Sequence, residues 1–355
     1  MRTGYADLPL HGGKAPKWLF ERMKKLAREI AIAIIIQYGK EELLKRLSDP
    51  IWFQAFGCTL GFDWHSSGVT TTVTGALAEG LKSDQKELGI FFAGGKGRRG
   101  LHTPYDIAAW GEKGVISEEK VKYFQRVSRL VAKVDASAVQ DGFNIYHHFL
   151  IFTKNGKWLV VQQGMKEKTR KARRYHWLSD NVKSFVSNPH SGIISSGKEK
   201  NVLNLTDRDI PKTRKDIVNL SNEKPELVLK ELKHIEMPYH HPIYSTDFNI
   251  TYLNKILRKT HETSAKDFEN LLLIKGVGEK TLRALTLIAH LVYGDPVSFK
   301  DPALFSFAHG GKDGYPFPVE RDTYDRSISI LKDAIRKAKI GDYEKLRAIK
   351  RLQKL

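Results

Sequence analysis

The chain has 355 residues, 41% of them apolar and 28% charged, a composition that excludes a disordered or fibrous polymer and leaves room for two ordinary domains. Fifty-nine lysines and arginines stand against 40 acidic residues, a formal charge of +19. Polyanions are therefore the expected partners, because each neutralised phosphate releases counterions.

The longest apolar run, Ile30 to Ile36, is far short of the about 20 residues that span a bilayer, so no membrane partner is expected. Met1 to Asp7 lacks the apolar core of a secretory signal. One cysteine, Cys58, excludes an internal disulfide and a cysteine-rich zinc site. A reducing, cytoplasmic location is expected. Thermophile proteins are also rich in basic residues, but usually with matching glutamate, which is missing here.

Along the chain, Pro16 to Tyr38 has helical spacing, with Leu19, Met23, Leu26, Ile30 and Ala33 on one stripe, and Glu41 to Leu47 continues as a short helix. Val69 to Val73 is β-branched and predicts a strand, followed by a helix over Ala76 to Lys82. Ile90 to Ala93 reads as a buried strand running into a glycine-rich loop, Gly94 to Gly100, whose Arg98 and Arg99 are candidate phosphate contacts. The loop lacks the Gly-Lys-Ser or Gly-Lys-Thr of a nucleotide-binding P-loop, so a triphosphate-driven motor is not expected. Glu118 to Val131 predicts a helix. Ile145 to Phe152 and Trp158 to Gln163 predict a β-hairpin, since Asn155-Gly156 supplies the positive dihedrals of a tight turn.

All six tryptophans precede residue 180, and residues 195 to 225 are polar and poor in aromatics. That shift predicts an α+β fold organised as a mixed first domain, 1–200, and a mainly helical DNA-binding domain, 205–355.

Within the second region, Ser264 can cap a helix with Phe268, Leu271 and Leu272 on its apolar face. Gly276-Val277-Gly278 forces a reversal, and a second helix follows from Glu279 or Lys280. Amides at such a turn and helix start have no backbone acceptor and face an anion favourably. Lys275, Lys280 and Thr281 add charge-assisted hydrogen bonds there. The order Ile274, any residue, Gly276, Val277, Gly278, any residue, Lys280, Thr281 resembles the helix-hairpin-helix family. That resemblance implies a grip on the DNA backbone without reading sequence.

Candidate chemistry sits earlier. Asp63 and His65 lie in Gly-Phe-Asp-Trp-His-Ser-Ser-Gly; Asp135 and Asp141 bracket a small-residue segment; His147 and His148 open the hairpin that returns with Gln162 and Gln163. Strand alternation puts His147 and His148 on opposite faces, so only one can meet a given glutamine. If Asp63 and Asp141 converge, they can hold Mg²⁺ or Mn²⁺ and activate water against a phosphodiester. Lys171, Arg173, Arg174 and His176 would clamp the strand, with Tyr175 and Trp177 stacking on an unpaired base. Each group has an ordinary alternative. Asp63 can cap the following turn, and the histidines can be hydrogen-bonded core residues. No Asp followed by Glu-x-Lys crosses the hairpin; Gln162 and Gln163 stand there instead.

The strings His-Gly-Gly-Lys-Ala-Pro-x-Trp-Leu-Phe at 11–20, Phe-Gly-Cys-x-Leu-Gly-Phe-Asp-Trp-His-Ser-Ser-Gly-Val-Thr-Thr-Thr at 56–72 and Ala-Arg-Arg-Tyr-His-Trp-Leu at 172–178 resemble a prokaryotic, largely archaeal family of unknown function. That resemblance covers nearly the whole chain and implies an archaeal or thermophile source. The hairpin also resembles base-excision glycosylases. There Lys280 would attack the sugar, with Asp322 or the nearer Asp301 as the carboxylate. The function expected is DNA repair or processing by a metal-dependent nuclease acting on single-stranded or structured DNA. A glycosylase and a non-catalytic DNA-binding adaptor are the alternatives, and RNA stays open because nothing senses the 2′-hydroxyl.

Overall fold

The computed structural model describes residue 8, residues 15–62, 66–234, 249–303 and 321–338, and positions 341, 345, 348 and 349. Asp63 and His65 lie outside the described residues, and Asp322 is described only as part of a helical backbone.

The amino-terminal helices follow from apolar spacing. α1 (Lys17–Tyr38) starts after Pro16 and buries Met23, Leu26, Ala27, Ile30, Ala31 and Ile34. α2 (Lys40–Ser48) buries Leu43, Leu44 and Leu47. α3 (Pro50–Leu60) begins on an Asp49 cap whose carboxylate accepts from Ile51 N at 2.8 Å, and every one of its residues is buried. Because α3 has no polar face, helical spacing gives no signal there.

α4 (Gly68–Gly80) contains Val69 to Val73, which corrects the strand predicted for that segment. Its β-branched residues lie helically because Val69, Thr70, Val73 and Thr74 are buried against the rest of the layer, a tertiary gain larger than the small propensity penalty. A turn of helix, α5 (Gln85–Leu88), ends at Gly89 and leads to the sheet.

The central sheet has the order β1 (Ile90–Lys96), β3 (Asn144–Thr153), β4 (Trp158–Lys166), β5 (Lys171–Leu178), β6 (Gly192–Ser195), all antiparallel. β3 and β4 are the predicted hairpin, turning where Gly156 takes φ +93°. β1 runs through Gly94 and Gly95 to Lys96, so half of the predicted glycine loop is edge strand, paired to His148 and His147. A short helix α6 (Arg98–Leu101) and then α7 (Thr103–Glu112) follow. α8 (Glu118–Lys133) begins on a Ser117 cap and passes into a π-helical turn, Val134–Ala138. β2 (Val139–Gln140) pairs with β7 (Leu203–Asn204) in a second, two-stranded sheet. Helices α9 (Pro211–Asn222), α10 (Pro225–His234), α11 (Ile250–Thr263), α12 (Phe268–Leu273), α13 (Glu279–Leu291) and α14 (Arg321–Lys337) complete the chain.

Strand alternation sends apolar residues to both faces of the central sheet, as a sheet covered on both sides requires. Ile90, Phe149, Ile151, Leu159 and Val161 meet α1 to α4 and the α14 residues Leu331, Ala334 and Ile335. Phe91, Leu150, Phe152, Val160, Tyr175 and Trp177 meet α8 and α9 to α13 on the other face. That second apolar cluster is continuous from Phe91 to Ala303 and includes Phe268, Leu271, Val277 and Leu282. The protein is thus an α+β fold in which α9 to α13 pack on one face of the sheet while α14 joins α1 to α4 on the other. No helix among the described residues is long and apolar enough to cross a membrane.

Candidate nucleic-acid interface

α12 is capped by Asp267, whose side chain accepts from Asn270 N at 2.8 Å, rather than by Ser264, which takes φ +49° at the end of α11. The chain then turns through Ile274 to Gly278. Val277 N donates to Ile274 O at 3.1 Å, and the Val277 side chain is fully buried, pinning the turn to the core. Gly276 has φ +104°, a region closed to most side chains, and a Cβ there would sit 2.4 Å from Ile256 Cδ1. α13 starts at Glu279 on Gly278, which supplies no side-chain cap.

Carbonyls of this turn are held from behind. Lys259 Nζ donates to Lys275 O at 3.0 Å, Tyr252 Oη to Gly276 O at 3.5 Å, and Lys133 Nζ to Val277 O at 2.5 Å. Gln140 Nε2 donates to Glu279 O at 3.0 Å, while its oxygen accepts from Arg283 Nε at 2.9 Å. Arg283 also holds the Glu279 carboxylate at 2.6 Å, which compensates the one acid beside the helix start. Lys275 and Lys280 are exposed, and no carboxylate among the described residues pairs with either. Thr281 faces inward with 2% of its surface exposed, so its hydroxyl does not join them as predicted. Sequence spacing finds Lys275, Gly276, Val277, Gly278 and Lys280, but not the supports Lys133, Gln140, Tyr252, Lys259 and Arg283, which lie at other places in the chain.

Arg98 and Arg99, read from sequence as part of a loop, are exposed on α6, with Arg99 Nη2 2.9 Å from Asp106. Lys171 is half-buried at the start of β5.

Arg173, Arg174 and His176 are not on a surface. All three are 0% exposed, which corrects their assignment to a clamp on DNA. The basic segment is a central strand, and alternation sends Arg173, Tyr175 and Trp177 to one face of the sheet and Arg174 and His176 to the other. Arg173 donates to Asp141 Oδ2 at 2.8 Å and forks onto Asp301 at 3.0 and 2.7 Å. Burial works against its charge, and Asp141, Tyr175 and Asp301 more than offset that, raising its pKa. Tyr175 and Trp177 are fully buried and offer no ring to a base.

The catalytic candidates are also inside. Asp135 lies in the π-helical turn and accepts from His190 Nε2 at 2.5 Å, Trp177 Nε1 at 2.9 Å and Gln162 Nε2 at 2.5 Å. His148 donates through Nδ1 to Gln162 Oε1 at 2.6 Å and accepts from Ser128 Oγ at 2.9 Å. On the opposite face His147 lies beside Gln163, with Nε2 3.1 Å from Thr74 Oγ1 and Nδ1 without a partner among the described residues. The two histidines therefore divide between the two glutamines, as alternation requires. Gln163 contacts Thr70, Tyr146 and Ser67 O, and the Arg174 guanidinium reaches Gln54 Oε1 at 3.0 Å, His176 Nε2 at 2.9 Å and Thr70 Oγ1 at 3.3 Å. Burial without a carboxylate lowers Arg174 to about 9.

Asp141 is fully engaged by Arg173, by Tyr175 Oη at 2.7 Å and by Phe143 N at 3.0 Å. Among the described residues no three His, Cys, Asp or Glu form a group that could hold a metal. Asp301, the nearer glycosylase candidate, is held by Arg173 and by Glu199 N at 2.6 Å, so its carboxylate is already engaged.

Comparison with known proteins gives one result. A family model described as a protein of unknown function, DUF763, matches residues 4–319. No curated protein and no solved structure matches the chain.

Proposed function

The chain belongs to the DUF763 family, whose function is unknown, and on that premise we propose that it binds DNA by gripping the backbone, without reading sequence, through α12, the Gly276–Gly278 turn and α13 acting as a helix-hairpin-helix.

What carries this reading is the difference between two glycines. Gly276 is required by the fold, for its positive φ and for the contact with Ile256. Gly278 is not. Its φ of −149° is extended backbone open to any residue, and a Cβ there would meet nothing closer than Gly276 O at 4.0 Å. A glycine that the fold does not need, at the uncapped start of a helix, leaves room for a phosphate to reach the backbone amides. Lys275 and Lys280 flank that point, and the supports behind the turn occupy its carbonyls, so donors predominate on the outward side.

The test is binding of a short labelled duplex across a salt series. Gly278→Val is expected to keep the thermal midpoint of the wild type and lose tenfold or more in affinity, roughly the 1.4 kcal/mol that separates decades. Lys275→Gln and Lys280→Gln are each expected to lower the salt slope by about one. Wild-type affinity in all three variants would sink the reading. An RNA duplex run beside the DNA decides whether the grip distinguishes the two.

A further inference from the structure

Lys122, Arg126, Arg129 and Lys133 recur at spacings of four, three and four, which places them on one narrow stripe of α8. At 1.5 Å per residue the part from Lys122 to Arg129 runs roughly 10 Å, a length over which one strand of a duplex carries about three phosphates. The stripe's first three side chains are exposed. Lys122 pairs with Glu118, while no carboxylate among the described residues pairs with Arg129.

This stripe joins two surfaces. On one flank Arg126 donates to Asn270 Oδ1 at 3.2 Å and lies 3.5 Å from Glu269, both on α12, and Lys133 ends at Val277 O in the turn. On the other flank Gln125, one turn from both Lys122 and Arg129, donates to Pro104 O at 2.9 Å. Beside Pro104 stand Leu101, 77% exposed, and Tyr105, 72% exposed, with the His102 ring 5.7 Å from that of Tyr105. Lys96, Arg98 and Arg99 are exposed next to them. Exposed rings among cations have no use for a duplex, whose base faces are hidden, but they match a strand with unpaired bases.

We infer that the ligand is a nucleic acid with a duplex part and a single-stranded extension: the hairpin holds the duplex backbone, α8 carries the phosphates onward, and the Leu101–His102–Tyr105 platform stacks the first unpaired bases. This rests on the hairpin reading and adds the substrate class to it.

The experiment compares a blunt duplex, the same duplex with a single-stranded tail, and the tail alone. The proteins are the wild type, a Tyr105→Ala/His102→Ala variant, a Lys122→Glu/Arg129→Glu variant and Gly278→Val. Wild type is expected to bind the tailed duplex about tenfold more tightly than the blunt one, as one stacked base is worth 1–3 kcal/mol. The platform variant is expected to lose that increment with unchanged blunt-duplex affinity, and the stripe variant to lose it as well. Because all four substituted side chains are exposed, thermal midpoints check that folding is intact. Equal binding of tailed and blunt duplex, or an increment that survives both variants, overturns the inference. Gly278→Val reports only on the hairpin: wild-type affinity for the blunt duplex in that variant would overturn the hairpin reading and leave the tail increment to be judged by itself.

Discussion

The ammonium of Lys133 donates to the carbonyl oxygen of Val277 at 2.5 Å, so the last turn of α8 props the centre of the hairpin turn from behind. Burial lowers the Lys133 pKa, a penalty set against an otherwise unpaired carbonyl. Lys133 therefore positions the turn. Lys133→Met is expected to weaken duplex binding several-fold while leaving the salt slope unchanged. Lys280→Gln is expected to lower the slope by about one, the signature of a lost phosphate contact. A reduced slope in Lys133→Met would show instead that Lys133 meets the phosphate itself.

The two turn glycines are expected to separate stability from binding. Gly276→Ala must accept φ +104° and a 2.4 Å approach to Ile256, and is expected to cost about 1–3 kcal/mol in urea unfolding. A Cβ at Gly278 would meet nothing closer than Gly276 O at 4.0 Å, and Gly278→Ala is expected to stay within about 0.5 kcal/mol of wild type. Equal stability losses at both positions would contradict this account of the turn.

Arg173 holds two carboxylates from distant parts of the chain, Asp141 and Asp301, with no solvent to replace it. Arg173→Gln leaves both anions buried without a cation and is expected to lower stability by about 3–5 kcal/mol. Asp141→Ala is expected to act the same way, through the uncompensated guanidinium. If Asp141→Ala instead folds normally and abolishes a metal-dependent cleavage of DNA, Asp141 is a catalytic residue rather than a structural one.

Acid should destabilise the fold through its buried imidazoles. Burial pushes His147 down to about 3 and also lowers His148 and His176, so all three are neutral when folded. In the unfolded chain each takes a proton near pH 6.5, and the unfolded state then binds more protons than the folded one. Stability from these groups is full above about pH 6.5 and is lost as the pH falls towards their folded values. At about pH 5.5 His147 alone is expected to cost about 1.4 kcal/mol relative to neutral pH. Urea midpoints at the two pH values measure it, with His147→Gln expected to show a shallower loss. A midpoint independent of pH would refute the assignment.

Local signals were legible where one face of an element decides its fate. The α1 stripe, the Asn155-Gly156 hairpin and the Gly276–Gly278 turn all form where spacing and glycine placement put them. Segment 69–73 was not legible, because β-branched residues take a helix when packing against neighbouring helices outweighs their propensity. Nor was the basic strand 171–178. Its charges look like surface until Asp141 and Asp301, 32 and 128 residues away, arrive to neutralise Arg173.

The sequence by itself determined the net charge, the hairpin and the alternation that separates His147 from His148, since each depends on residues close together in the chain. Only the tertiary structure decided which cations are exposed. Burial is set by what packs on top: Arg173 is enclosed with Asp141, Asp301 and the Phe143 ring and Arg174 with Gln54 of α3 and Thr70 of α4, whereas Lys275 on the turn, Lys280 at the start of α13 and Arg129 on α8 are exposed and keep their charge in water.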